Sequence, residues 1–162
     1  MPSDLLGAQE VAYLPCGLFL KNFEREQESQ EYDASRFKIN DKIIQFRSAK
    51  ITPTKIGQFV TFWKRIGNGP IIPFDLADPV DIFVVSVRFG ELLGQFAFPK
   101  TVLHQKGFIA KKGIGGKRAM RVYPPWDHVE SKQAKATQSW QLQFFFEVRP
   151  NPNTIKIREL FC

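Results

Sequence analysis

Residues 36–66 read RFKINDKIIQFRSAKITPTKIGQFVTFWKRI, and the first half of this stretch decides the fold. Phe37 and Ile39 alternate with Arg36, Lys38 and Asn40, Asn40-Asp41-Lys42 supplies turn chemistry, and apolar alternation returns from Ile43 to Ile51. A period of two on both sides of an Asn-Asp turn predicts a β-hairpin. On its second strand Ile44, Phe46 and Ser48 face one side, while Gln45, Arg47 and Ala49 face the other. Lys50 joins Gln45 and Arg47 only through a twist or bulge. Thr52-Pro53 ends that strand, Gly57 to Arg65 predicts another, and Gly67-Asn68-Gly69-Pro70 breaks the chain.

Working outward, Asp81 to Arg88 (DIFVVSVR) and Gly94 to Phe98 (GQFAF) predict a second hairpin around Phe89-Gly90-Glu91. Pro99 then opens a short helix over Lys100 to Lys106, because proline is tolerated in a first turn. Further on come a strand from Arg118 to Tyr123, a rigid turn at Pro124-Pro125-Trp126, a helix from Ser131 to Trp140 and a strand from Gln141 to Val148. The closing TIKIREL is strand-like. On the N-terminal side, Asp4 to Tyr13 predicts a short helix, and Leu18 to Tyr32 a longer one set off by Pro15 and Gly17. In that second helix Glu24, Glu28 and Glu31 fall on one face, as a solvated acidic stripe or as partners of a metal or a basic loop. With 162 residues, 43% of them hydrophobic, the chain suits one domain over 1–162 with a real core. Sixteen phenylalanines favour a sheet-rich interior. The expected class is α+β, a central mixed or antiparallel sheet with flanking helices.

Charge is segregated along the chain. No acidic residue stands between Asp41 and Asp75, where Lys42, Arg47, Lys50, Lys55, Lys64 and Arg65 are interleaved with Phe46, Phe59, Phe62 and Trp63. A second acid-free stretch, between Glu91 and Asp127, carries Lys100, Lys106, Lys111, Lys112, Lys117, Arg118 and Arg121. The net charge of +7 therefore understates the local positive potential, which would attract phosphates. Cations beside flat rings suit a polyanion that presents bases, and Trp63, followed by Lys64 and Arg65, is the leading stacking candidate. Solubilising surface lysines are the plainer explanation for either stretch alone.

Several chemistries find little support. Gly113 to Arg118 fails the phosphate-loop pattern twice, because Lys111 replaces the first glycine and Arg118 follows Lys117 in place of Ser or Thr. It is read as a mobile basic loop whose amides could still hold backbone phosphates. His104 and His128 are isolated, and Cys16 and Cys162 are the only cysteines, so neither a zinc set nor a disulfide framework is expected. Asp78 and Asp81 flank Pro79 ahead of an apolar strand, as either capping groups or metal carboxylates, without a nearby obligate third carboxylate for magnesium. No signal-like leader and no apolar run of about 18 residues appears, so a cytoplasmic protein in a reducing compartment, without membrane contact or small-molecule cofactor, is expected.

The segments ESQEYDASRFKI, IQFRSAKITPTKIGQFVTFWKR, GPIIPFD, GQFAFPKTVLHQKG, GGKRAMRVYPPWD and QAKATQSWQLQFFFE resemble, in order, the MepB family of small bacterial proteins. That resemblance implies a bacterial cytoplasmic protein, in some genomes encoded beside a multidrug efflux pump and its repressor. The order of elements is also similar to the PD-(D/E)XK nuclease-like fold, whose E/Q-x-K strand would correspond to Gln45-Phe46-Arg47. Arg47 cannot give up its proton to serve as a base, and Gln45 brings no charge to a metal.

The resulting expectation is a nucleic-acid-binding protein on a degenerate, catalytically inactive nuclease-like scaffold, with DNA as its partner and single strands favoured because aromatics accompany the charge. Arg47, Lys50, Lys55, Lys64, Arg65, Lys117, Arg118 and Arg121 would contact phosphates, and Trp63 and Trp126 would offer stacking faces. The alternative is a divergent nuclease using Glu31, Gln45 and Lys50 with magnesium or manganese, the only setting in which a cofactor is expected. A third is a protein-interaction module anchored on Phe108, Trp126 and the Pro124-Pro125 turn.

Overall fold

A computed structural model describes residues 1–162. Its frame is a six-stranded sheet built from β1 (Leu20–Arg25), β2 (Ser35–Ile39), β3 (Lys42–Ser48), β8 (Ile82–Phe89), β9 (Leu92–Pro99) and β11 (Phe145–Glu147), neighbouring in that order. The central pair β3 and β8 is parallel, and every other pair is antiparallel. A smaller sheet sets β4 (Lys50–Ile51), β5 (Gln58–Thr61) and β10 (Ala119–Val122) side by side, and β6 (Trp63–Arg65) pairs with β7 (Ile71–Pro73). The helices are α1 (Ser3–Ala8), α2 (Lys100–Gln105), α3 (Lys132–Leu142) and α4 (Thr154–Phe161). The class is α+β with a mixed central sheet. No helix is long and apolar enough to cross a membrane.

Alternation on β8 and β9 divides the interior in two. Ile82, Val84 and Ala97 point to one face, where α1, α4 and the turns after α1 cover them through Leu5, Ala8, Ala12, Ile157 and Phe161. Phe83, Val85, Val87, Phe96 and Phe98 point to the other, under the small sheet, α2 and the Phe74 segment. Each such side chain, fully buried, contributes about 1.5–3 kcal/mol. Gln45 and Arg47 are paired in register with Phe83 and Val85, so they sit at the margin of this second layer. The first layer holds a buried polar trio: the Tyr13 hydroxyl donates to Gln95 Oε1, and Gln95 Nε2 donates to Ser86 Oγ at 3.4 Å. Burial pushes the Tyr13 hydroxyl pKa well up, which keeps it a donor.

The two hairpins at β2–β3 and β8–β9 and the short helix after Pro99 form as the sequence predicts. Three elements differ, the first being the single strand expected from Gly57 to Arg65, which is divided at Phe62 into β5 and β6 in separate sheets. The helix expected over Leu18 to Tyr32 is instead strand β1 followed by a single tight turn at Gln30–Tyr32. A register shift between Lys21 and Glu24, with Asn22 at φ 57°, bends this edge strand and makes its sequence look aperiodic. The closing TIKIREL is helix α4, not a strand: Ile157, Leu160 and Phe161 form an i, i+3, i+4 stripe against the first core layer, and the Asn153 side chain caps Lys156 N at 3.2 Å.

Candidate functional site

The small sheet unites the two acid-free segments. β5, from the first, pairs with β10, from the second, in the register Thr61–Ala119, Val60–Met120, Phe59–Arg121 and Gln58–Val122. On the other side of β5, Lys50 is paired with Phe59. Directly opposed residues share a sheet face, so Lys50, Phe59 and Arg121 form one outward row while Val60, Met120 and Val122 are buried beneath. Tyr32 packs edge-on to Phe59 at 6.2 Å between ring centres, Lys50 Nζ lies 4.9 Å from the Tyr32 ring, and Arg121 Cζ lies 6.0 Å from the Phe59 ring. Arg121 is fixed by donating to Thr52 Oγ1 at 3.0 Å and to the Gly57 carbonyl at 3.1 Å. Beyond it, Lys117 Nζ lies 5.2 Å from the Phe108 ring, and a shallow groove of about 330 Å³ runs between these residues and the start of α3. Lys55 lines a neighbouring groove with Arg121, and Arg118 is exposed immediately before β10.

Beside this ridge, across the turn that carries Ser29, a polar cleft of about 610 Å³ opens between residues 26–29 and the β6–β7 hairpin. Trp63, Lys64, Arg65 and Asn68 form one wall, Glu26, Gln27, Glu28 and Ser29 the other, and Arg47 lies at its floor. Ser29 adopts a left-handed conformation (φ 57°) and its hydroxyl accepts from Thr61 Oγ1 at 3.4 Å. The cleft is therefore tied to the ridge. Its charges are paired. Glu26 Oε1 accepts from Gln45 Nε2 and, at 3.0 Å, from Arg47 Nη1. Lys64 donates to Asp78, and Arg65 Nε donates to Glu28 Oε1 at 2.9 Å. Burial pulls the Arg47 pKa down and the Glu26 charge pulls it back up; a guanidinium stays protonated in either case.

Four sequence-based assignments change. Lys64 and Arg65 were expected to meet phosphate, but they are paired with Asp78 and Glu28. Arg47 was expected to meet phosphate, but its side chain is 1% exposed and held by Glu26. Trp126 was expected to offer a stacking face; its indole packs on Phe145 at 5.9 Å with Nε1 buried, so its ring is part of the second core layer. The trio Glu31, Gln45 and Lys50 is not assembled: Gln45 is engaged by Glu26, Glu31 is exposed on the tight turn, and Lys50 has left β3's sheet for β4. Glu26 escaped notice because a carboxylate at the end of β1 has no meaning until β1 is known to be a strand. The carboxylate set does not fit a divalent ion. No three His, Cys, Asp or Glu side chains converge, and Glu26, Glu28 and Asp78 are each neutralised by a cation. Asp78 and Asp81 cap backbone amides, those of Asp75 and Ile43, at 2.8 Å each.

The geometry can be set beside known proteins. The solved crystal structure of MepB is 33% identical in sequence and superposes with a TM-score of 0.77, the match covering 91% of this chain and 97% of that one. A bacterial homing endonuclease, I-Ssp6803I, gives a TM-score of 0.43 at 16% identity, over 88% of this chain and 93% of its own. None of the curated proteins matches the sequence. The family model described as MepB-like matches residues 26–147, a span that begins at the carboxylate holding Gln45 and Arg47 and contains the ridge, the cleft and both acid-free segments. Together with the MepB structure it identifies this chain as a member of the MepB-like family.

Proposed function

We propose that the chain binds nucleic acid, without cutting it, across the ridge Lys50–Phe59–Arg121 and the groove that continues past Lys117 and Phe108. The observation that carries the reading is the register of β4, β5 and β10, which sets cations from two distant segments around exposed ring edges on one face. Lysines and arginines neutralise backbone phosphates, and every base has a π-face that can stack on a ring without regard to sequence. Rings half-buried under cations suit an unpaired strand better than a duplex, whose bases are stacked already. Lys50, Lys55, Lys117, Arg118 and Arg121 are the phosphate contacts in this reading, with Tyr32, Phe59 and Phe108 as the ring surfaces. A role without cleavage is supported by the pairing of Glu26, Glu28 and Asp78 with cations and by the Arg47 guanidinium, which is no base.

The test is fluorescence anisotropy with a labelled single strand and a labelled duplex at low salt. The expected dissociation constant is tighter than about 10⁻⁴ M, the weak end of non-specific binding, and the triple variant Lys50→Glu, Lys117→Glu, Arg118→Glu should lose most of that affinity while keeping its circular dichroism spectrum. Unchanged binding by a folded triple variant would move the interface elsewhere on the molecule.

A further inference from the structure

The cleft beside the ridge has an unusual lining for an anion site. Arg65, Lys64 and Arg47 each have a carboxylate partner within the chain, and Glu26 and Glu28 stand on the wall facing Trp63. A lone phosphate entering there would meet both acids. The lining instead offers four features at once: a half-buried Trp63 ring whose neighbour Arg65 lies 5.8 Å from its centre, two carboxylates, the amide side chains of Gln27 and Asn68, and an arginine floor. In both Glu26 and Glu28 only Oε1 is engaged by a partner in the chain; each Oε2 is able to accept, and Glu28 Oε1, bound once, keeps a second lone pair. Arg47 is 1% exposed, and its Nε is buried with no hydrogen-bond partner.

We infer that this cleft is a pocket for one unpaired base of a bound strand, and that it selects guanine; the inference rests on the nucleic-acid reading above. Single-stranded bases are read by stacking on aromatic rings and by hydrogen bonds to their Watson–Crick and Hoogsteen edges. Guanine joins two adjacent donors, N1–H and the N2 amino group, to the acceptors O6 and N7. One carboxylate can take both donors, and Arg65 Nη2, which has no partner in the chain, can donate to the adjacent O6. Adenine and cytosine carry a single amino donor group, and thymine a single ring N–H, so none of them satisfies a carboxylate in two places. The volume of about 610 Å³ lies within the usual range for small-ligand pockets, about 300–1,000 Å³. Glu28, on the exposed rim at 47% and holding one donor, Arg65, is the acceptor assigned to the donor edge, since Glu26 Oε1 already takes two, from Gln45 and Arg47.

The experiment compares three labelled strands: all-thymine dodecamer, the same strand with one central guanine, and the same with inosine, which lacks the N2 amino group. The full-length protein should bind the guanine strand at least about 5-fold more tightly than the all-thymine strand, the lower limit for one bidentate base contact, and inosine should lose most of that gain. Glu28→Gln should abolish the guanine preference while binding the all-thymine strand as well or better, because a negative charge facing the nucleic acid has gone. That combination separates base reading from a loss of structure. Equal affinity for all three strands, or a guanine preference that survives Glu28→Gln, would overturn the inference and leave the binding reading standing. Failure to bind any of the three would overturn both.

Discussion

Arg121 Cζ stands 6.0 Å from the centre of the Phe59 ring, on the strand directly across from it. The two residues belong to the two acid-free segments of the chain, so this one contact joins them. Phe59 has Lys50 as its other cross-strand neighbour, and cations therefore stand on both sides of one ring. An arrangement of that kind is attractive to a polymer that alternates phosphates with flat bases.

Lys50 and Lys117 are exposed and make no ion pair. Alanine at either should reduce the slope of log affinity against log salt by about one, as expected for each lost phosphate contact, and the pair together by about two. Stability should change by less than about 0.5 kcal/mol, as for ordinary surface substitutions. Anisotropy across a sodium chloride series measures the first quantity and urea unfolding the second; an unchanged slope would remove these lysines from the interface.

The Glu26–Arg47 pair makes a prediction about the fold. Glu26→Ala leaves a buried guanidinium without its counter-ion and should destabilise the protein by about 3 kcal/mol, the low end for breaking a buried pair, because the Glu26 side chain is 34% exposed. Adding Arg47→Met to that variant should restore much of the loss, since removing both charges spares the unpaired one. Equilibrium urea unfolding of wild type, single and double variants checks the sign.

Gly116 seats the second basic segment. It adopts φ +83°, and a Cβ there would fall 2.7 Å from Pro73 Cβ and 2.9 Å from Ala110 N. Gly116→Ala should cost about 1–3 kcal/mol from crowding alone, and it should weaken strand binding as well, because Lys117 and Arg118 follow immediately. A variant that is destabilised but binds normally would dissociate the loop's seat from the interface.

Asp75 gives a pH dependence with a definite sign. Its carboxylate accepts from the amides of Ala77 at 2.9 Å and Gly113 at 2.8 Å, and these bonds hold its pKa below the ordinary carboxylate range. A folded pKa below the unfolded one gives stability that is present above the unfolded value, about 3.9, and is lost as pH falls through the folded value. Asp75→Asn should therefore lower the urea midpoint at pH 6, and the gap from wild type should shrink at pH 3. A gap independent of pH would mean that the amide contacts, and not the charge, carry the effect.

Period-two alternation was legible at β2, whose Phe37 and Ile39 are buried beside a solvent-facing Lys38, and it correctly put Gln45 and Arg47 on one side of β3; β8 and β9, buried on both faces, were legible as apolar runs about the Gly90 turn. It misled at α4, where Thr154-Ile155-Lys156-Ile157-Arg158 alternates by accident and only Ile157 is buried. Edge strand β1 was hidden for the opposite reason, since its bulge breaks the alternation and Lys21, Glu24 and Arg25 face solvent. The cations of the ridge could be named from composition, but their shared face depends on β5 meeting β10. That register is set by core packing of Val60, Met120 and Val122 between residues about sixty positions apart, and no local pattern encodes it. The burial of Arg47 follows from the same cause, because its partner Glu26 becomes visible only when β1 lies beside β2.

The measurement that bears most directly on the central claim is anisotropy of a labelled single strand with wild-type protein across a salt series, in magnesium and in EDTA, followed by a denaturing gel of the same samples. Log affinity should fall steeply and linearly with log salt, binding should be equal with and without magnesium, and every lane should hold full-length strand. Affinity weaker than about 10⁻⁴ M at low salt, or strand shortened only where magnesium is present, would contradict it.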